Sequence, residues 1–406
     1  MPSVVIDEPY EFVPPYRGSL WARAISRLMP WDLRRSYGIT SLECEGLEHL
    51  KASFKAGHGV LLAPNHCRPA DPLVINQICH RAKKAPHTMA SWHLFKQSRL
   101  QSFFLRRIGA FSVYREGLDR LALQAGVKIL TEARRPLIIF PEGVITKTND
   151  RILSLMDGVS FVTRGAAKKR AALNPPGQVV VHPVAIRYYF HGNIDEALHT
   201  TLDDIERKLS WRPKHDSDLV QRIYRVGEAL LWLKEIEYLG QPQFGAIPAR
   251  LQKIIDSILV PLEEEWIEGV REGSLIGRIK RLRFVILRDM IQDNVTEEER
   301  DRRWIHLNDM NLAQQLGHYP PHYVKSKPTP ERLLETVEKF EFDLTGSTRI
   351  HRPMSATVRI GSAIPVPTKR DRQYKHDSVM VAVEQQLHEL LEIPPTKPAA
   401  EAPTEA

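Results

Sequence analysis

Cysteine is scarce in this chain of 406 residues. Cys44, Cys67 and Cys79 form no CxxC pair and leave one over, which excludes a disulfide framework and a structural zinc site and leaves three reduced thiols. His80, His87 and His93 have no acids at matched spacing, so no metal is expected. No segment reaches the roughly 18 consecutive apolar residues that a bilayer-spanning helix needs. The start, MPSVVIDEPYEFVPPYRG, has neither a basic nor an apolar signal region. The expectation is a cytoplasmic chain without a span. Internal repeats and a glycine-rich phosphate loop are also lacking. Negative charge is in the minority: the formal net charge is +8, and the partner it favours is a nucleic acid, a phospholipid surface or a phosphorylated substrate. No nucleic-acid-binding module is recognisable.

A composition 42% hydrophobic and 26% charged is that of a globular protein with a core. Residues 1–15 and 393–406 carry many prolines and little to bury, and are expected to be mobile. Between them, residues 16–38 place Leu20, Ala24, Leu28 and Trp21, Ile25, Met29 at helical spacing among five arginines. That pattern suits a helix lying in a membrane interface; the alternative is a helix packed on its own domain. Buried strands are expected at Gly59–Ala63, Pro136–Phe140 and Val179–Ile186, with a helix over Leu118–Ala133. Residues 39–195 therefore read as a layered α/β core, a sheet covered by helices. Residues 196–348 are charged and heptad-like, a helical insertion of about 150 residues. Residues 349–392 return to strand and turn (ATVRIGSAIPV) and a closing amphipathic helix.

The densest chemistry is Pro64-Asn65-His66-Cys67-Arg68-Pro69-Ala70-Asp71-Pro72, directly after the first of those strands. In an unbroken helix residues five apart point about 140° away from each other. Pro69 and Pro72 forbid that helix, because each pushes the residue before it out of the α region. The chain must turn, and the turn brings the Asp71 carboxylate back onto the His66 imidazole. Asp71 then holds one ring nitrogen's proton while the other takes a proton from an alcohol. Two further clusters follow: Gly109-Ala110-Phe111-Ser112-Val113-Tyr114-Arg115 ends in an arginine suited to gripping phosphate, and Phe140-Pro141-Glu142-Gly143 ends a strand with an acid and a glycine.

In order and spacing these segments, with Val181-His182-Pro183-Val184, resemble the four motifs of the glycerolipid acyltransferase family that includes 1-acylglycerol-3-phosphate acyltransferases. NHxxxxD is matched by Asn65, His66 and Asp71, and FPEG letter for letter at Phe140 to Gly143. The resemblance covers roughly residues 40–190 and 350–392. It implies that His66 is the general base, that Asp71 orients it, and that no acyl-enzyme forms. It further implies that Arg115 binds the acceptor phosphate, with Asn65, Arg68, Glu142 and Gly143 among the substrate contacts. The implied reaction moves an acyl group from acyl-CoA or acyl-carrier protein, with no further cofactor, to a lysophosphatidate-like acceptor in phospholipid synthesis. Its implied place is the inner face of a membrane. A transacylase working without CoA, or a silent lipid-binding protein on the same fold, are the alternatives. Two departures bear on phosphate recognition. Val144, Ile145, Thr146 and Lys147 follow FPEG where relatives carry Thr or Ser and then Arg, and a lysine common before the second motif is replaced by Trp92 and His93, with Lys96 just beyond.

Overall fold

The protein is described here as a computed structural model covering residues 5–215, 217–319, 322–370 and 377–394. Its centre is one eight-stranded sheet. The strands are β1 (Ile39–Glu45), β2 (Gly59–Pro64), β3 (His87–Ser91), β4 (Ala110–Val113), β5 (Leu137–Ile138), β6 (Val179–Phe190), β7 (Met354–Ile360) and β8 (Ile364–Pro365). Their order is β1-β7-β6-β2-β5-β3-β4, with β8 on the first half of β6. The five strands from β6 to β4 run parallel, while β7 and β8 pair antiparallel to β6.

β2 is buried along its whole length, and its alternate side chains go to opposite faces. Leu61 and Ala63 join Val179 and Val181 against the helices Arg120–Glu132, Gly158–Ala171 and Ser378–Leu391. Val60 and Leu62 join Ile186, Tyr188 and Val358 against the helix Asp71–Arg81. Each fully buried aliphatic side chain contributes about 1.5–3 kcal/mol, so these two layers hold the sheet. Pro183 has no N–H to give a neighbour. It falls between the stretch of β6 that pairs with β8 (Val180, Val181) and the stretch that pairs with β7 (from Val184), where only its carbonyl is used, by the amide of Gly361.

Between residues 194 and 345 the chain leaves the sheet after β6, forms seven helices among the described residues, and returns at β7. They pack into two clusters of their own, one around Ile254, Leu282 and Met310, the other around Leu202, Val226 and Val337.

Two expectations need correction. Residues 5–15 are packed: Val5 sits in a core of the helical region, Asp7 pairs with Arg300, and Val13 exchanges hydrogen bonds with Ser112 on the edge strand β4. Covering an otherwise open sheet edge offsets the poor burial capacity of a proline-rich segment. Residues 1–4 and 395–406 lie outside the described residues. Residues 16–38 form two helices, Leu20–Ser26 and Met29–Tyr37, because Pro30 is tolerated only in the first turn of a new helix.

Candidate active site

The parallel strands bring three sequence-distant segments to one edge of the sheet. The loop after β2 carries His66, the segment after β5 carries Glu142, and the turn after β4 carries Arg115. All lie at the carboxyl ends of their strands, where open α/β sheets form their crevices.

His66 and Asp71 meet, with one difference from expectation: Pro72 does not push Asp71 out of the α region but follows it in the first turn of the helix Asp71–Arg81, where proline is tolerated. Nδ1 of His66 is 2.8 Å from Oδ2 of Asp71. Oδ2 also accepts from the amide of Arg68 at 2.9 Å, and Oδ1 accepts from the hydroxyl of Tyr188 at 2.6 Å. Asp71 is wholly buried in the first turn of the helix Asp71–Arg81, where the helix dipole favours an anion. Surrounded by donors, this carboxylate acts as acceptor, so Nδ1 carries the ring proton and Nε2 presents a lone pair. Nε2 has no partner among the described residues. The imidazole lies against Phe140, with ring centroids 4.1 Å apart, and keeps 15% of its side chain exposed.

The backbone around His66 is pinned from both sides. The amide of His66 donates to Oε1 of Glu142 at 2.8 Å, and the amide of Leu153 donates to Oε2 at 2.8 Å. The His66 carbonyl accepts from the amide and hydroxyl of Thr146. Burial pushes the Glu142 carboxyl up to about 7, against the opposing pull of those two amides.

Three residues expected to touch substrate are placed otherwise. Asn65 is buried and spends its side chain on β6, donating to the carbonyl of Ile186 and accepting from its amide. Arg68 turns outward from the loop onto the ring of Tyr188 and pairs with Glu338 of the helix Pro330–Thr345 at 3.0 Å. Glu142 commits both carboxylate oxygens to backbone amides. All three thus spend their side chains on the scaffold around the loop that carries His66. Gly143 adopts a positive φ of 68°, and an added Cβ would come within 2.2 Å of the Met156 methyl. Its carbonyl accepts from the guanidinium of Arg115 at 2.6 Å. Arg115 is held in turn by Asp119, which accepts from the amides of Tyr114 and Ala122 and so fixes the turn between them.

Cys67 points inward and is fully buried, which pushes its thiol well above the ordinary range and disqualifies it as a nucleophile. Sequence reasoning missed Tyr188, Thr146 and Asp119. The signal for Tyr188 was present: it stands two and four residues beyond Ile186 and Val184 on one face of β6.

The sequence model of the Acyltransferase family matches residues 41–187, the span that runs from β1 through all of these segments. The chain carries an acyltransferase-family domain. A search of curated proteins finds no match to the chain. The match ends within β6, so the helical region and the strands β7 and β8 of this chain lie outside it. No helix among the described residues is long and apolar enough to cross a membrane.

One cavity stands out beside the site. It has a volume of about 760 Å³ and lies among the helices of residues 219–345, with Ile223, Leu231, Leu251, Leu312 and Phe340 in its walls. Lys147 and Thr148 form part of the same wall, one and two residues after the Thr146 that bonds the His66 carbonyl.

Proposed function

We propose that this acyltransferase moves a fatty acyl group from an acyl thioester, acyl-CoA or acyl-carrier protein, to a hydroxyl of a lysophosphatidate-like acceptor at a membrane surface. The observation that carries the reading is the lone pair on Nε2 of His66, aimed by a buried carboxylate that two other donors hold in place.

In the proposed reaction Nε2 takes the proton of the acceptor hydroxyl as its oxygen attacks the thioester carbonyl. Asp71 stabilises the imidazolium that results. The C–S bond of the tetrahedral intermediate then breaks, the thiolate leaves, and the imidazolium returns the proton to it as the ester forms. Proton and acyl group are both conserved, and the enzyme is never acylated. Arg115 receives the acceptor phosphate, and the apolar cavity of the helical region takes a fatty chain. Its size is in the range of roughly 300–1,000 Å³ that small-molecule pockets occupy.

Membrane association has its own support. The helix Arg99–Ile108 has no buried residue, and Leu100 (67% exposed) and Phe104 (43%) point outward. Trp21 of the helix Leu20–Ser26 packs edge-on against Phe103, with Arg107 over both rings. Trp31, 61% exposed, stands on the following helix beside Arg35. Aromatic and aliphatic side chains fringed by arginines are what an anionic lipid interface takes up.

The test is incubation of the purified protein and a His66→Ala variant with labelled acyl-CoA and lysophosphatidic acid in anionic vesicles. Labelled phosphatidic acid made by the unmutated protein alone supports the reading; equal product from both removes His66 as the base.

A further inference from the structure

The helix Leu275–Ile291 belongs to the helical region outside the family match, yet it reaches the crevice where Arg115 stands. A chain of contacts links them. Arg115 donates to the Gly143 carbonyl, the position of a Cβ on Gly143 abuts Met156, and the sulfur of Met156 accepts from Nζ of Lys280 at 3.3 Å. One turn further along, Arg283 enters the same place, 3.7 Å from Glu116, the neighbour of Arg115. Its side chain is only 8% exposed, and its Nε is buried with no hydrogen-bond partner. Oε2 of Glu116 is likewise buried and unpartnered.

The charges do not balance. Arg115, Lys280 and Arg283 bring three cations, and Glu116 a single carboxylate. Burial, reinforced by Arg115, holds the Lys280 ammonium below its ordinary range, and burial holds Arg115 down against the opposing pull of Glu116, with Arg283 adding to it. His93, in the field of Arg115, is driven down to about 4, mainly by burial, and stays neutral. Lys96, the lysine nearest in sequence, pairs instead with Glu8 of the N-terminal segment. Clustered cations with an unused buried N–H are costly unless something anionic comes to them.

We propose that Lys280 and Arg283 complete, with Arg115, a binding site for a phosphate monoester, so that the helical region supplies two of the three cations that recognise the anion. The proposal deepens the acyltransfer reading. Phosphate monoesters occur on a lysophosphatidate acceptor and on the nucleotide part of CoA, and both present the oxygens that a fork of guanidinium donors fits. The site lies beside Gly143 and thus near the base, which places the bound phosphate within reach of a hydroxyl on the same small molecule.

The experiment separates this site from catalysis by using the full chain with His66→Ala and calorimetric titration with glycerol 3-phosphate, glycerol serving as the phosphate-free control. Saturable binding of the phosphate ester alone is expected. Lys280→Ala and Arg283→Gln should each weaken it about tenfold or more, and Lys280→Arg should restore most of the loss. Because Arg283→Gln disturbs a buried pair, thermal unfolding of each variant is followed in parallel, and Lys280→Ala, at a half-buried position, carries the decision. No saturable binding, or binding unchanged in Lys280→Ala, would overturn the proposal even if acyltransfer is confirmed. In the active protein, a KM raised for lysophosphatidic acid assigns the site to the acceptor and one raised for acyl-CoA assigns it to the donor. A binding loss in the His66→Ala background stands even where no acyltransfer is found.

Discussion

The phenol of Tyr188 donates to Oδ1 of Asp71 at 2.6 Å, on the side of the carboxylate that His66 leaves free. It comes from the far end of β6, 117 residues away in sequence, and so ties the orientation of the His66–Asp71 pair to the central sheet. Tyr188→Phe leaves Oδ1 with only the thiol of Cys67, 3.8 Å away. The expected result is a kcat lowered about tenfold with KM unchanged and stability reduced by about 1–3 kcal/mol. Steady-state kinetics and urea unfolding check both. His66→Ala should cost much more, about 10²–10⁴ in kcat.

Glu142 ties stability to pH. Its folded carboxyl titrates near 7, above the ordinary value of 4.5, mainly because it is buried. Between those values the unfolded chain has lost the proton and the folded protein keeps it, so raising the pH favours unfolding. The contribution is fully present below about 4.5 and is lost as pH rises through about 7, a few kcal/mol in all. Thermal unfolding between pH 5 and 8 should show a downward slope that Glu142→Gln flattens. Gln has one acceptor oxygen for two amides, so the variant should also be less stable at pH 5.

Gly143→Ala faces two obstacles, a left-handed backbone and the Met156 methyl. Destabilisation of about 1–2 kcal/mol is expected from the backbone alone. Gly143→Ala with Met156→Ala should recover the steric part and leave the backbone part. A double-mutant cycle of unfolding free energies in which Met156→Ala brings no recovery would show that the contact is not the obstacle.

Thr336 lines the apolar cavity from the helix Pro330–Thr345. Thr336→Trp fills space that a fatty chain would use. The kcat/KM for a 16-carbon acyl substrate should fall about tenfold, while an 8-carbon one is little affected, since each buried methylene is worth about 0.8 kcal/mol. Equal losses for both lengths would place the chain elsewhere.

Exchanging Phe103 and Phe104 for Ser removes two exposed rings without touching a core. Vesicle sedimentation should show binding to anionic lipid weakened at least about tenfold. Turnover of a soluble short-chain acceptor should be unaltered.

The pairing of His66 with Asp71 was legible because Pro69 and Pro72 act locally and hold back the helix until the loop has turned, although Pro72 does so from inside the first helical turn. The strands β2, β5 and β6 were legible because burial on both faces makes them continuously apolar. β1, ITSLECE, was not, since its partly exposed edge position admits a polar composition. What the sequence could not express was where a polar side chain would spend its hydrogen bonds. Asn65 and Glu142 sit in the expected motifs, but their partners are backbone groups on β6 and in the loops, and the partner of Arg68 lies 270 residues away. The N-terminal segment was misjudged for the same reason: its prolines are local, whereas Ser112, which anchors it, is about 100 residues distant.

The placement of β7 sets the order in which the molecule is built. Among the described residues β1 pairs with β7 alone, so it waits for residues made more than 300 positions later. Until they arrive, β6 also has a bare flank. The nascent chain thus carries two open strand edges throughout synthesis of the helical region, an invitation to pair with other chains. Truncations before Met354 should give insoluble product rather than a smaller soluble domain, and the segments that carry His66, Arg115 and Glu142, though all complete by residue 190, become part of a closed sheet only when β7 is added.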